Sequence, residues 1–199
     1  MQSSKRYWYF AGFLGLLIVG LLVFTFASRG YYPVLMVNGT LISNGKFKQD
    51  FQADSFYYLN QLKTYHPEEA EAVVIPTLDL EASVLNRIVE NVLVREEAQK
   101  EFGTDLDVLV ADKLTRFNND IAFQGAAESL YGLPFADFRE RVLVPQAQRD
   151  VLSGRLFLRG EKIEDWLLKA KAQAKIRIFA GDFYWDGKAI RLTSEDKKS

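Results

Sequence analysis

The residues that could carry chemistry are few, and their spacing excludes most of it. The chain holds one histidine, His66, and no cysteine. No histidine pair can bind a metal, and thiolate nucleophiles and disulfides are ruled out. Any Ser-His arrangement would have to be built on a residue flanked by Tyr65 and Pro67, which reads as a turn. Asp105-Leu106-Asp107 opens like a calcium-binding loop, but Val110 stands where the sharp turn needs glycine and Arg116 where a bidentate carboxylate is required. Glu68, Glu69 and Glu71 form an acidic cluster, as do Glu96 and Glu97. Neighbours on a helix diverge by about 100°, so these carboxylates read as solvated faces rather than acid–base pairs. Gly12, Gly15 and Gly20 lie in an apolar run and the other glycines are isolated at turns, leaving no phosphate-cradling loop. Asn38-Gly39-Thr40 satisfies the glycosylation sequon, but Asn-Gly is first of all a hairpin turn.

What remains is a binding surface, and composition limits its partners. With Lys+Arg 25 against Asp+Glu 26 the net charge is -1, so no broad basic field exists to gather phosphates and no nucleic acid is expected. No cofactor is expected. A hydrophobic fraction of 48% and an aromatic fraction of 14% over 199 residues suffice to bury the core of one sizeable domain.

The elements that must build this surface follow from periodicity and punctuation. Tyr32–Val37 reads as an extended segment closed by Asn38-Gly39, with Thr40–Ile42 pairing back on it. Ser43 caps a helix whose entry is stapled by Ile42 and Phe47 and which carries Phe47, Phe51, Tyr58 and Leu62 towards Tyr65. His66-Pro67 stops it, and 68–74 reads as a short helix. Between Thr77 and Gly103 lies the clearest helix, with Leu85, Ile88, Val92 and Leu93 on one face and Gly103 as its cap. Thr104 with Asp107 reads as a capping box opening a second helix along Leu106, Val110, Leu114, Phe117 and Ile121, the two forming a hairpin. Gly132 stops the chain again, Pro134 reopens a helix along Phe135, Phe138, Val142 and Leu143, and Pro145 bends it. A last helix, 163–174, leads to an alternating segment at 175–179 and a hairpin on Asp186-Gly187.

Residues 7–28 contain no charge and include an almost purely aliphatic and aromatic stretch at 13–24. About 20 such residues span a hydrocarbon core as a helix. Tyr7, Trp8 and Tyr9 suit the headgroup region, and Lys5 and Arg6 keep residues 1–6 in the cytoplasm by the positive-inside bias. A cleaved signal peptide is the rival reading, with Thr25-Phe26-Ala27 as its cleavage site, although an h-region is usually shorter.

The order of short strand, Val37-Asn38-Gly39, Ile42 and Phe47, the long helix bearing Leu85-Asn86-Arg87-Ile88-Val89-Glu90-Asn91-Val92-Leu93, and the unit from Tyr131-Gly132-Leu133-Pro134 to Val142 resembles the N-terminal chaperone domain of the SurA, PpiD and PrsA family. The resemblance spans roughly 34–158. In that family a parvulin-type prolyl isomerase usually follows, after which a helix and a strand return to the chaperone domain. Here 163–179 looks like that returning segment, and the join at 158–161 is too short for another domain. Together with the uncharged run and the polar end of the chain, the resemblance gives a mainly α fold: a transmembrane helix at 7–28, an extracytoplasmic SurA-N-like helical domain at 31–192 with a few short strands, and a polar tail at 193–199. It also implies a chaperone that holds unfolded or exported polypeptides without isomerase activity, tethered to membrane lipid through 7–28, with the secretion machinery as a neighbour. The alternative is an adaptor or structural subunit of a membrane complex. Candidate client contacts are Phe51, Tyr57, Tyr58, Phe117, Phe123, Tyr131 and Phe135. Taken singly, each is also what an amphipathic helix buries.

Overall fold

A computed structural model describes residues 13–21, 30–65 and 77–193. Within the apolar run, residues 13–21 are helical. Among the described residues no helix is long and apolar enough to cross a membrane. Residues 1–12 and 22–29, and with them most of the expected 7–28 span, lie outside those described, as do His66, the Glu68–Glu71 cluster and 194–199.

Strand β1 (Pro33–Val37) turns through Asn38 (φ 50°) and Gly39 (φ 95°) into β2 (Thr40–Ser43). Two successive positive φ values make the tight hairpin that the Asn-Gly pair favours. β1 is central, with β2 on one side and β3 (Ile176–Ile178) antiparallel on the other, so Leu35 faces both Ile42 and Ile178. A bulge between Pro33 and Leu35 lets the consecutive residues Val34 and Leu35 both turn inward. Helix α1 (Asn44–Tyr65) follows, with Ser43 Oγ accepting from Lys46 N at 3.2 Å as the sequence predicts.

The axis of the fold is α2 (Thr77–Phe102), whose 26 residues extend about 39 Å. It serves two cores. Val84, Leu85, Ile88 and Val89 pack with the sheet and with the hairpin β4 (Phe183–Trp185) and β5 (Ile190–Leu192). Val94 and Ala98 pack with Leu106, Val110 and Leu114 of α3 (Asp105–Asn118), Leu152 and Leu156 of α6 (Val144–Phe157), and Ile163 and Leu167 of α7 (Ile163–Gln173). Trp166 touches both cores. The returning helix therefore lies directly on the long one, joined to α6 only by 158–162.

Three expectations need correction. The second helix does not run on through Ile121: it ends at Asn118, Asp120 accepts from Phe123 N to cap a new helix that starts at Ile121, and Ile121 is exposed. Thr104 does not form a capping box: it adopts a helical φ/ψ and its hydroxyl makes no cap bond, because the turn is so tight that Leu106 N reaches back to the Gly103 carbonyl. The helix containing Pro145 is not merely bent. Helices α4 (Ile121–Tyr131) and α5 (Phe135–Phe138) lead into a π-turn at Arg139–Leu143, where Val144 N donates to the Arg139 carbonyl five residues back. Pro145 has no N–H to continue the ladder, and the widened turn accommodates its ring.

Candidate functional site

Five of the seven candidate aromatics converge, but on one another. Tyr57 of α1 stacks on Tyr131 at the end of α4, ring centroids 4.8 Å apart and 14° from parallel. Tyr131 lies 4.8 Å from Phe138, Phe123 lies 6.2 Å from it and Phe135 6.4 Å. Phe117 joins at 4.8 Å from Phe123. The hub is Phe138, 4% exposed, which sequence reasoning placed on an apolar face but not among the contacts. Phe51 is elsewhere, beside Phe47 against the sheet core, and Tyr58 alone is exposed.

Side-chain bonds and close packing tie this lobe together. Asn60 of α1 donates to the Ser129 and Leu130 carbonyls, both at 3.1 Å, satisfying acceptors in the last turn of α4. Gly132 (φ 63°) ends that helix, with Phe56 against it: a Cβ there would meet the ring at 3.0 Å. Glu128 Oε1 accepts from Phe135 N, tying the two helices together. Burial of Tyr131, with Tyr57 and Asp54 nearby, pushes its phenol pKa up, so the hydroxyl stays protonated.

Open space lies on the other side of the π-turn. A cleft of about 610 Å³ runs between α1, α2 and the kinked helix, within the range of roughly 300–1,000 Å³ typical of ligand sites. A second hollow of about 430 Å³ adjoins it, sharing Asn91, Arg141 and Pro145 in its lining. Val92, Val144 and Pro145 give the cleft apolar surface, while Gln49, Asn91 and Gln148 add side-chain amides. Three cations (Lys46, Arg95, Arg141) line it with three carboxylates (Asp50, Asp137, Glu140), so neither sign dominates.

Arg141, carried by the π-turn, closes one side. It donates to Asp50 at 2.8 Å and to Gln49 Oε1, joining the kinked helix to α1. Asp50 is 7% exposed, and this ion pair compensates its burial. One turn on, Arg87 holds Asp54 at 2.7 Å. Burial nevertheless raises the Asp54 pKa, with Asp50 adding to the effect and Arg87 opposing it.

The acidic residues singled out by sequence have structural roles where they are described. Glu96 accepts from Asn38 at 2.8 Å and Thr40 at 3.2 Å, and Glu97 pairs with Lys100 at 3.3 Å. Asp105 and Asp107 are exposed in the first turn of α3. Among the described residues no group of three or more His, Cys, Asp or Glu could hold a metal ion. The cleft residues had no local signal: Gln49, Asn91, Arg141 and Gln148 lie on separate elements and meet only in the tertiary fold.

The family model described as SurA-like N-terminal domain matches residues 1–128, from the apolar N-terminal run into α4. No curated protein and no solved structure matches the chain.

Proposed function

Since the chain belongs to the SurA-like N-terminal domain family, a chaperone-type family, we propose that it is a membrane-anchored, extracytoplasmic holdase that binds non-native exported polypeptides without covalent chemistry. The observation that carries this reading is the open cleft of about 610 Å³ between α1, α2 and the kinked helix, mixed in polarity and balanced in charge. The uncharged run at 7–28 with Lys5 and Arg6 before it supports the anchor and its orientation. The backbone supports a short path: Gly45 N donates to the Gly30 carbonyl at 2.8 Å and Asn44 N to Tyr32 at 2.9 Å. The chain just after the apolar run is thereby tied to the start of α1, which supports a cleft close to the anchor in this reading.

The short connection between α6 and α7, with α7 packed on α2, supports the absence of an inserted isomerase from this segment. A proline-containing reporter peptide is accordingly isomerised at the uncatalysed rate. The deciding experiment uses the full chain in nanodiscs. At several-fold excess and without nucleotide it slows the aggregation of a reduced, unfolded client, and no slowing at that excess overturns the proposal.

A permanent adaptor role is the second reading, favoured by Phe157 and Leu158, each 79% exposed at the end of α6. A pull-down dominated by one stoichiometric partner would select it over the chaperone, which instead yields many weak clients.

A further inference from the structure

The geometry points to recognition of the client's main chain, by the side-chain amides of Asn91 and Gln148, as the way this cleft takes an extended polypeptide irrespective of sequence. The inference rests on the holdase reading and specifies its chemistry. Asn91 is on α2 and Gln148 on α6, and both line the cleft. Neither makes a hydrogen bond or ion pair with any described residue, and their polar atoms are not among those sealed from solvent without a partner. They contrast with Asn86, five residues before Asn91 on the same helix. That amide spends its donor on the Ala82 and Ile190 carbonyls and its acceptor on Ile190 N, pinning β5 to α2.

A primary amide presents one acceptor and two donors, the complement of a peptide group's N–H and C=O. Every residue but proline carries that peptide pair, so two amides facing a groove bind chain rather than sequence. An extended segment leaves its peptide groups unpaired at both edges while its side chains project above and below. In this cleft alternate side chains would rest on Val92 and Val144, with the edges towards the amides. The equal numbers of cations and carboxylates in the lining impose no charge requirement that would restrict clients. The aromatic lobe is a separate surface: none of its rings lines the cleft, and Phe123, Tyr131 and Phe135 pack on Phe138.

The test uses the full chain in nanodiscs and a fluorescein-labelled ten-residue peptide of alternating serine and valine. Its counterpart is N-methylated at alternate residues, which removes donors and leaves the side chains in place. Loss of one or two net hydrogen bonds corresponds to about tenfold weaker binding. That loss is expected for the methylated peptide on the wild-type protein, and for the plain peptide on Asn91→Leu and Gln148→Met. The methylated peptide should lose less on the variants than on the wild type, since the same bonds cannot be lost twice. Thermal melts of the variants should match the wild type, because neither amide holds the fold together. Equal affinity for the two peptides, or unchanged or tighter binding by the variants, overturns main-chain recognition. If the wild type still slows client aggregation in that case, the holdase reading stands alone. If it neither binds the peptide nor slows aggregation, both fall.

Discussion

Glu90 offers the sharpest test of how the returning helix is held. It sits on α2 with Lys171 of α7 at 2.5 Å from one carboxylate oxygen and Arg149 of α6 at 3.1 Å from the other. Burial acts to raise its pKa, but the hydrogen bonds and charges of Lys171 and Arg149 outweigh burial and hold it below the ordinary value of 4.5. In Glu90→Gln the new amide can accept from only one cation and turns a donor towards the other, leaving Arg149 and Lys171 facing each other uncompensated. A hydrogen bond to a charged group contributes about 1.5–3 kcal/mol when shielded, an exposed ion pair about 0.2–1 kcal/mol. The Glu90 and Arg149 side chains retain 28% and 31% of their exposure and Lys171 15%, which places each contact between those limits. The pair together is then worth about 2 kcal/mol, or a fall in Tm of about 4–8 °C for a chain of this size. Urea unfolding followed by tryptophan fluorescence, with Trp166 next to the affected helix, measures it. A folded-state pKa depressed below the unfolded one gives stability that is complete above the unfolded value and is lost as pH falls through the folded value. The gap between wild type and variant should therefore be full at pH 7 and close below about pH 4.5 as the wild-type carboxyl takes up its proton. A gap that persists unchanged in acid would refute the electrostatic account, and no gap at pH 7 would show that the three helices are held by packing alone.

Two further substitutions probe the frame around the cleft. Phe138→Ala removes the hub of the aromatic lobe and should destabilise by about 3–5 kcal/mol, with a loss of near-UV circular dichroism from the surrounding rings. Asn38→Ala should cost about 2 kcal/mol in chemical denaturation. It places a β-carbon residue without Asn's tolerance at φ 50° and removes the acceptor for Lys175 N and the donor to Glu96, both among the bonds that join the first hairpin to the returning strand and the long helix.

The parts of this fold written in local patterns were legible in the sequence. The limits of α2 follow from a helical apolar period and Gly103, the first hairpin from Asn38-Gly39, the break at Gly132 from a residue tolerant of positive φ, and the return of 163–179 from a resemblance in element order. What failed was whatever depended on exact backbone geometry or on distant partners. The Thr104 capping box has the right residues three apart but a turn too tight to use them. The π-turn could not be foreseen from Pro145, which signals a disturbed ladder without choosing between a bend and a widened turn. The candidate aromatics were selected for size and helical spacing, the same properties that fill a core, and five of them pack on one another beside Phe138.

That outcome changes what the aromatics do. Phe138 immediately precedes the π-turn, and the π-turn carries Arg141, whose bonds to Asp50 and Gln49 form one wall of the cleft. The lobe thus supports the wall while lining no part of the cleft. Substitutions at Tyr131 or Phe135 should weaken client capture only as far as they lower the melting temperature, because both effects come from the same loosened support. Asn91→Leu should weaken capture with the melt unchanged. A Tyr131 or Phe135 variant that lost capture at full stability would reverse this assignment and put the client on the rings themselves.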